Sequence, residues 1–186
     1  MFTDHRKESY NEFSALPELS YNTVAYLIEH DDISWRLLKY TDPDSLDINK
    51  HPNLTLQEKA DLIYTGRDNI TDCRVFLDVG MDDAWTQETS ILRVSPIIAT
   101  PDTHVYGKIA MAFEVYTHYK VNHLSNHTTR TVSIIQRLIS VFNGAEIDGL
   151  GRLFFDKRSS ALCRVSSIGR IPYKGMGLVM CNFLLG

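Results

Sequence analysis

Apolar residues recur along this chain with two different periods, and the switch between them divides it. In SYNTVAYLIEHDDISWRLLKYTDPD, Val24, Leu27 and Ile28 fall on one helical face, followed by Ile33, Trp35, Leu37 and Leu38. Ser20 stands where an N-cap is expected. Asp42-Pro43-Asp44 ends the pattern, because proline disfavours helix in the residue before it. A loop rich in Asp, Asn and Pro covers Asp42 to Asn53. TLQEKADLIYTG then predicts a short helix, with Thr55 and Glu58 at capping-box spacing and Gly66 as a left-handed C-terminal cap.

From Cys73 the period becomes two. CRVFLDV places Cys73, Val75, Leu77 and Val79 on one side. TSILRVSPIIA predicts a second strand, bent or at an edge because Pro96 has no N–H for a ladder bond. HVYGKIAMAFEVYTHYKV is the longest. Val105, Ile109, Met111, Phe113 and Val115 point one way, and Tyr106, Lys108, Glu114, Tyr116 and His118 the other, the pattern of a half-buried strand. TTRTVSIIQRLISVFNG returns to helical spacing. Val132, Ile135, Leu138, Ile139 and Phe142 form its apolar stripe, Arg130 and Arg137 lie off it, and Gly144 closes it. GLGRLFFD, ALCRVSSI and KGMGLVMCNFLL are three further strands, the last so apolar that it is covered on both faces or lies inside an assembly.

Two helices, three strands, one helix and three strands, with short connections, predict an α+β domain: a largely antiparallel sheet with one helix packed across it. The expected organisation is an N-terminal arm over 1–19 and one domain over 20–186. That domain has a helical portion at 20–66 and the sheet with its packing helix at 72–186. A length of 186 residues suits one well-cored domain.

Composition removes whole classes. With 44% apolar and 23% charged residues, the chain is neither disordered nor low in complexity. No run approaches the length of a membrane span, and MFTDHRKESYNEF is too polar for a signal peptide, so an acting place in the cytoplasm, or in a particle assembled there, is expected. Cys73, Cys163 and Cys181 are too scattered for a disulfide framework or a zinc ribbon and read as buried thiols in strands. The net charge of −4 is uneven: residues 157–186 carry five basic and no acidic side chains, leaving −9 on residues 1–156. Opposite charges in separate regions suit head-to-tail contact between copies, or a polyanion partner.

Three histidines, His118, His123 and His127, raise the possibility of a metal-dependent enzyme. Their spacing of five and four positions crosses a turn, no Cys, Asp or Glu completes the set, and Asn122, Ser125, Asn126 and Thr128 around them favour a polar turn. Dinucleotide, phosphate-loop, nucleophile-elbow and HExxH motifs are absent, and the acidic loop with Asp78, Asp82 and Asp83 lacks calcium-loop spacing. No cofactor is implied. A nucleic-acid-binding module is the other rival, since Arg152, Lys157, Arg158, Arg164, Arg170 and Lys174 interleave with Phe154, Phe155 and Tyr173. RLFFD lacks the aromatic signature of the common RNA-binding sheet.

NTVAYLIEHDDISWRLLKYTDPD, RVFLDVGMDDAWTQETSILRV, the long strand with its helix, and FNGAEIDGLGRLFFD together resemble neck proteins of tailed bacteriophages, of the head–tail connector and tail-terminator or tail-completion kinds. The resemblance extends over residues 20–186 and lies in block order and texture. It implies a virion structural protein, not an enzyme, that forms a sixfold or twelvefold ring joining head to tail or ending the tail. Implied partners are copies of itself and other neck, portal or tail proteins, with DNA passing through unbound and no membrane. A ring closes through a heterologous interface, and opposite charge on its two faces sets that register. Asp78, Asp82 and Asp83 are the candidates for one face, and Arg152, Lys157 and Arg158 for the other.

Overall fold

The computed structural model describes residues 16–66, 69–77, 87–101, 107–148, 151–155 and 173–183. Helix α1, Leu16–His30, starts earlier than its spacing suggested. Leu19 is already buried and Ser20 lies inside the helix, so Ser20 caps nothing, and the boundary drawn at residue 19 falls within an ordered turn. The predicted continuous pattern then breaks at Asp31-Asp32. Asp31 Oδ2 accepts the Ser34 N–H at 2.7 Å and starts helix α2, Ile33–Lys39. Trp35 Nε1 donates to the Leu27 carbonyl at 3.1 Å, folding α2 back over the end of α1.

Helix α3, Leu56–Asp61, carries the predicted capping box: Thr55 and Glu58 each accept from the other's backbone N–H. Gly66 does take positive φ (+88°), five residues beyond the helix. Lys39 Nζ lies 2.9 Å from Glu58 and ties α2 to α3. That ion pair and the Thr55 hydrogen bonds hold the Glu58 carboxyl down at about 2.

Among the described residues, the sheet has six strands in the order β1-β2-β3-β6-β5-β4. They are β1 Val75–Phe76, β2 Ser90–Pro101, β3 Gly107–His118, β4 Glu146–Ile147, β5 Gly151–Phe155 and β6 Tyr173–Phe183. Only β1 and β2 run parallel; the other pairs are antiparallel, so the α+β reading holds. The register of β2 on β3 slips between Pro96 and Ile98, where proline withholds its donor. Cys73 and Phe76 share a small cluster while Val75 joins the main core, so CRVFLDV does not alternate as a regular strand; Val79, Val105, Tyr106 and the ALCRVSSI block lie outside the described residues.

One face of the sheet holds Leu92, Val94, Met111, Phe113, Val115 and Leu153 against α1, α2 and helix α4, Arg130–Phe142. Each such side chain, fully removed from water, contributes about 1.5–3 kcal/mol. The other face was expected to be polar and wet. At one end it is covered instead: Tyr116 and Ile91 pack with Cys73, Phe76, Tyr64 and Ile70. Burial pushes the Tyr116 hydroxyl above its usual range, and the Glu114 charge adds to this.

Helix α4 departs most from its reading. Ile134, Ile135, Leu138 and Phe142 face the core, whereas Val132 is 47% exposed. Gly144 closes the helix at φ +88°. Asn122, from the preceding turn, receives the Thr131 N–H (3.1 Å) and hydroxyl (2.8 Å) on its side-chain oxygen, standing in for the silent cap Thr129. Arg130, expected off the stripe, is fully buried. Its Nε donates to Val121 O (2.8 Å), Nη1 to Leu37 O (2.9 Å) and Tyr40 O (2.5 Å), and Nη2 to Asp42 O (2.6 Å). Burial pulls the guanidinium down to about 10, opposed by the Asp42 charge, which leaves it cationic at neutral pH.

Removing this cation strands four buried or half-buried carbonyls. Arg130→Met is expected to lower stability by about 3–5 kcal/mol in urea unfolding. Arg130→Lys recovers only part of the loss, because an ammonium offers three donors from one atom. The depressed Glu58 carboxyl gives a pH signature. Its contribution is complete above its ordinary value of 4.5 and fades as pH falls toward about 2. The difference in Tm between wild type and Glu58→Ala is therefore expected to be full at neutral pH and to narrow steadily across that acid window in thermal melts.

Candidate functional site

Arg152 is the one expected interface residue among those described; Asp78, Asp82, Asp83, Lys157 and Arg158 lie outside them. Arg152 sits on β5 directly opposite Glu146 of β4, and both are exposed. The period-two pleat explains why: Leu153 turns into the core with no exposure, and Phe154 turns out with 46%. Phe154 pairs with Cys181, which pairs with Ala110, so Phe154 shares the outer face with Ala110, Ala112 and Glu114. There Arg93 and Glu114, facing each other across β2 and β3, form an ion pair at 2.8 Å. The outer face thus has a covered end around Tyr116, a charged middle and an exposed aromatic at Phe154.

Among the described residues, the sheet ends on each side in a strand of two residues, β1 and β4. β1 pairs only with Leu92 and Arg93 of β2, and β4 only with Gly151 and Arg152 of β5, so each covers a small part of its neighbour's edge.

The three histidines do not converge. His118 is buried, its Nδ1 accepts the Lys120 N–H at 3.4 Å, and its ring lies beside Tyr119. His123 forms a β-bridge with Thr129, and His127 takes the left-handed conformation (φ 62°) of a tight turn. Leu124 N–H donates to Thr128 O, and Asn126 Oδ1 receives the Thr128 N–H, so the stretch is a polar turn as its residues suggested. Among the described residues, no three His, Cys, Asp or Glu side chains gather as a metal-binding group. Cys73 is a buried thiol; Cys181 lies in β6, and Cys163 lies outside the described residues. Of the basic and aromatic set weighed for nucleic acid, Arg152 and Phe154 are exposed, and Phe155, Tyr173 and Lys174 lie in strands. Arg164 and Arg170 fall outside the described residues.

Sequence reasoning missed a second feature. At the α1–α2 junction a cleft of about 330 Å³ is lined by Glu29, His30, Asp31, Asp32, Ile33, Arg36, Ile48, Asn53 and Arg137. The Asp31 side chain is wholly buried, and its Oδ1 receives Arg137 Nε (3.1 Å) and Nη2 (2.5 Å). Lys59, 3% exposed, gives its three donors to Ile28 O, Asp31 O and Asp32 Oδ1 at 2.7–2.9 Å. Asp32 Oδ2 accepts from Asn53 at 2.9 Å. His30 stacks on Tyr26 with ring centres 3.9 Å apart. The signals were present: adjacent aspartates at a helix break, and an arginine between Trp35 and Leu37 in an apolar stretch.

Comparison with known proteins gives one family. Residues 33–167, which run from the start of α2 past the end of β5, match the YomW family model. No curated protein and no solved structure matches the chain.

Proposed function

We propose that this chain, which belongs to the YomW family, a family derived from Bacillus phage of the SPbeta-like prophage kind, is a virion structural protein. It assembles into a ring in the phage neck, joining head to tail or ending the tail, and works by assembly rather than catalysis. The observation that carries the reading is the outer sheet face, where Phe154 stands exposed beside Arg152 on β5. An aromatic ring flanked by an arginine is the usual make-up of an interface anchor. Face-to-different-face contact repeated by rotation is how a ring closes. The acidic balance of residues 1–156 against the basic 157–186 favours that register over self-pairing of like faces. It also suits a conduit through which DNA passes without sticking. Among the described residues, no helix is long and apolar enough to cross a membrane.

The alternation of exposed Arg152 and Phe154 is also what a single-stranded nucleic-acid platform uses, so the test separates the two. Native mass measurement is expected to give a closed oligomer of six or twelve copies. The double variant Arg152→Gln, Phe154→Gln, which sets no like charge opposite Glu146, should run as a monomer with stability within about 0.5 kcal/mol of wild type, as surface substitutions do. Wild-type protein that stays monomeric at high concentration, and retains labelled DNA at moderate salt until Arg152 is neutralised, overturns the ring in favour of nucleic-acid binding.

A further inference from the structure

Among the described residues, two arginines are almost wholly removed from water, and their surroundings differ sharply. Arg130 donates to four carbonyls from all three of its nitrogens. Arg36 is 6% exposed, yet only its Nη1 is engaged, by long bonds to Leu46 O (3.2 Å) and His51 O (3.3 Å). Its Nε has no hydrogen-bond partner. No carboxylate pairs with it among the described residues, Nη2 has no hydrogen-bond partner there either, and Arg36 lines the cleft. A buried guanidinium with idle donors can satisfy them on an anion bound in fork geometry.

The rest of the lining narrows the ligand. Asp31 is occupied by Arg137 and the Ser34 N–H, and Asp32 by Lys59 and Asn53, so neither is available to Arg36. Arg137 keeps Nη1 free at the cleft, with its side chain 36% exposed. Ile33 and Ile48 add apolar wall, and Ile48 is 57% exposed. Glu29 stands exposed in the same lining.

We propose that this cleft binds a carboxylate on a short apolar stem, the acid docking on Arg36 Nη2 with Arg137 Nη1 beside it and the stem lying on Ile33 and Ile48. The cleft, about 330 Å³, has room for such a group. The carboxylate comes either from a free organic acid or from a second copy of this chain. The site does not depend on the ring reading.

The test is ¹⁵N NMR of the arginine Nε–Hε groups and the amides of residues 29–37 during titration with sodium butyrate, against sodium chloride at equal ionic strength. Expected is a saturable shift at Arg36 that chloride does not reproduce. Two substitutions at exposed positions keep the fold intact. Glu29→Gln, which removes a like charge, tightens binding about two- to fivefold. Ile48→Glu, which puts a competing acid in the same lining, weakens it at least fivefold. Light scattering along the titration identifies the source: dissociation of an oligomer by butyrate assigns the acid to a neighbouring copy, and unchanged mass assigns it to a free molecule. A shift at Arg36 that chloride matches, or butyrate affinity unmoved by both substitutions, overturns the proposal.

Discussion

One buried guanidinium sets the geometry of the helical layer. Arg130 stands at the first turn of α4 and reaches carbonyls at Leu37, Tyr40 and Asp42, roughly ninety residues earlier, and at Val121 just before its own helix. Three segments that the chain visits at different times are thereby fixed to one planar group: the end of α2, the start of the aspartate-rich loop, and the turn after β3. No apolar contact could do this, because the end of α2 exposes carbonyls that need donors. Neighbouring bonds follow the same seam. Ser125 N–H donates to Pro43 O, and Asp42 Oδ2 pairs with His51 at 2.7 Å. The helices consequently meet the sheet as one body, and α4 can bury Ile134, Leu138 and Phe142 without a slack N-terminus.

Much of this was legible in the sequence wherever one local rule decided the outcome. The Thr55–Glu58 capping box, the positive φ at Gly144, the slip at Pro96 and the inward run Met111, Phe113, Val115 each follow from a property of the residue and its near neighbours. The failures are as specific. Arg130 read as a solvated position because periodicity counts charge as polar; the carbonyls awaiting it lie far away in sequence. Val132 read as core because it lies on the same face as Ile135 and Ile139, but the buried face is centred on Ile134, Ile135 and Leu138. The helix break at Asp31-Asp32 was hidden because aspartate is tolerated within a helix, and only its side-chain bond to Ser34 N–H declares a new start. The polar side of β3 read as wet because the covering cluster around Tyr64, Ile70 and Cys73 is contributed from outside that strand. The expected interface was legible as charge clusters, but of those residues only Arg152 has a described position.

The contrast between the two buried arginines separates structure from function. A cation whose donors all end on the chain's own carbonyls is a strut. A cation equally buried, with donors idle beside a cleft and no acid of its own, is half of an interaction. The outer sheet face has the same incompleteness in apolar form: Leu153 is satisfied inside while Phe154, its neighbour, is left to water. The exposed Phe154 fits the proposed ring, and membership in a phage-derived family supplies a setting for one.

That setting is open to a direct count. Phage particles produced by a host carrying this gene, purified through a density gradient and quantified by peptide mass spectrometry against the portal protein, report whether the chain resides in the virion and in what number. A ring in the neck predicts six or twelve copies per particle, localised by cryo-electron microscopy to the head–tail junction. Particles that are complete and infectious without this chain contradict it.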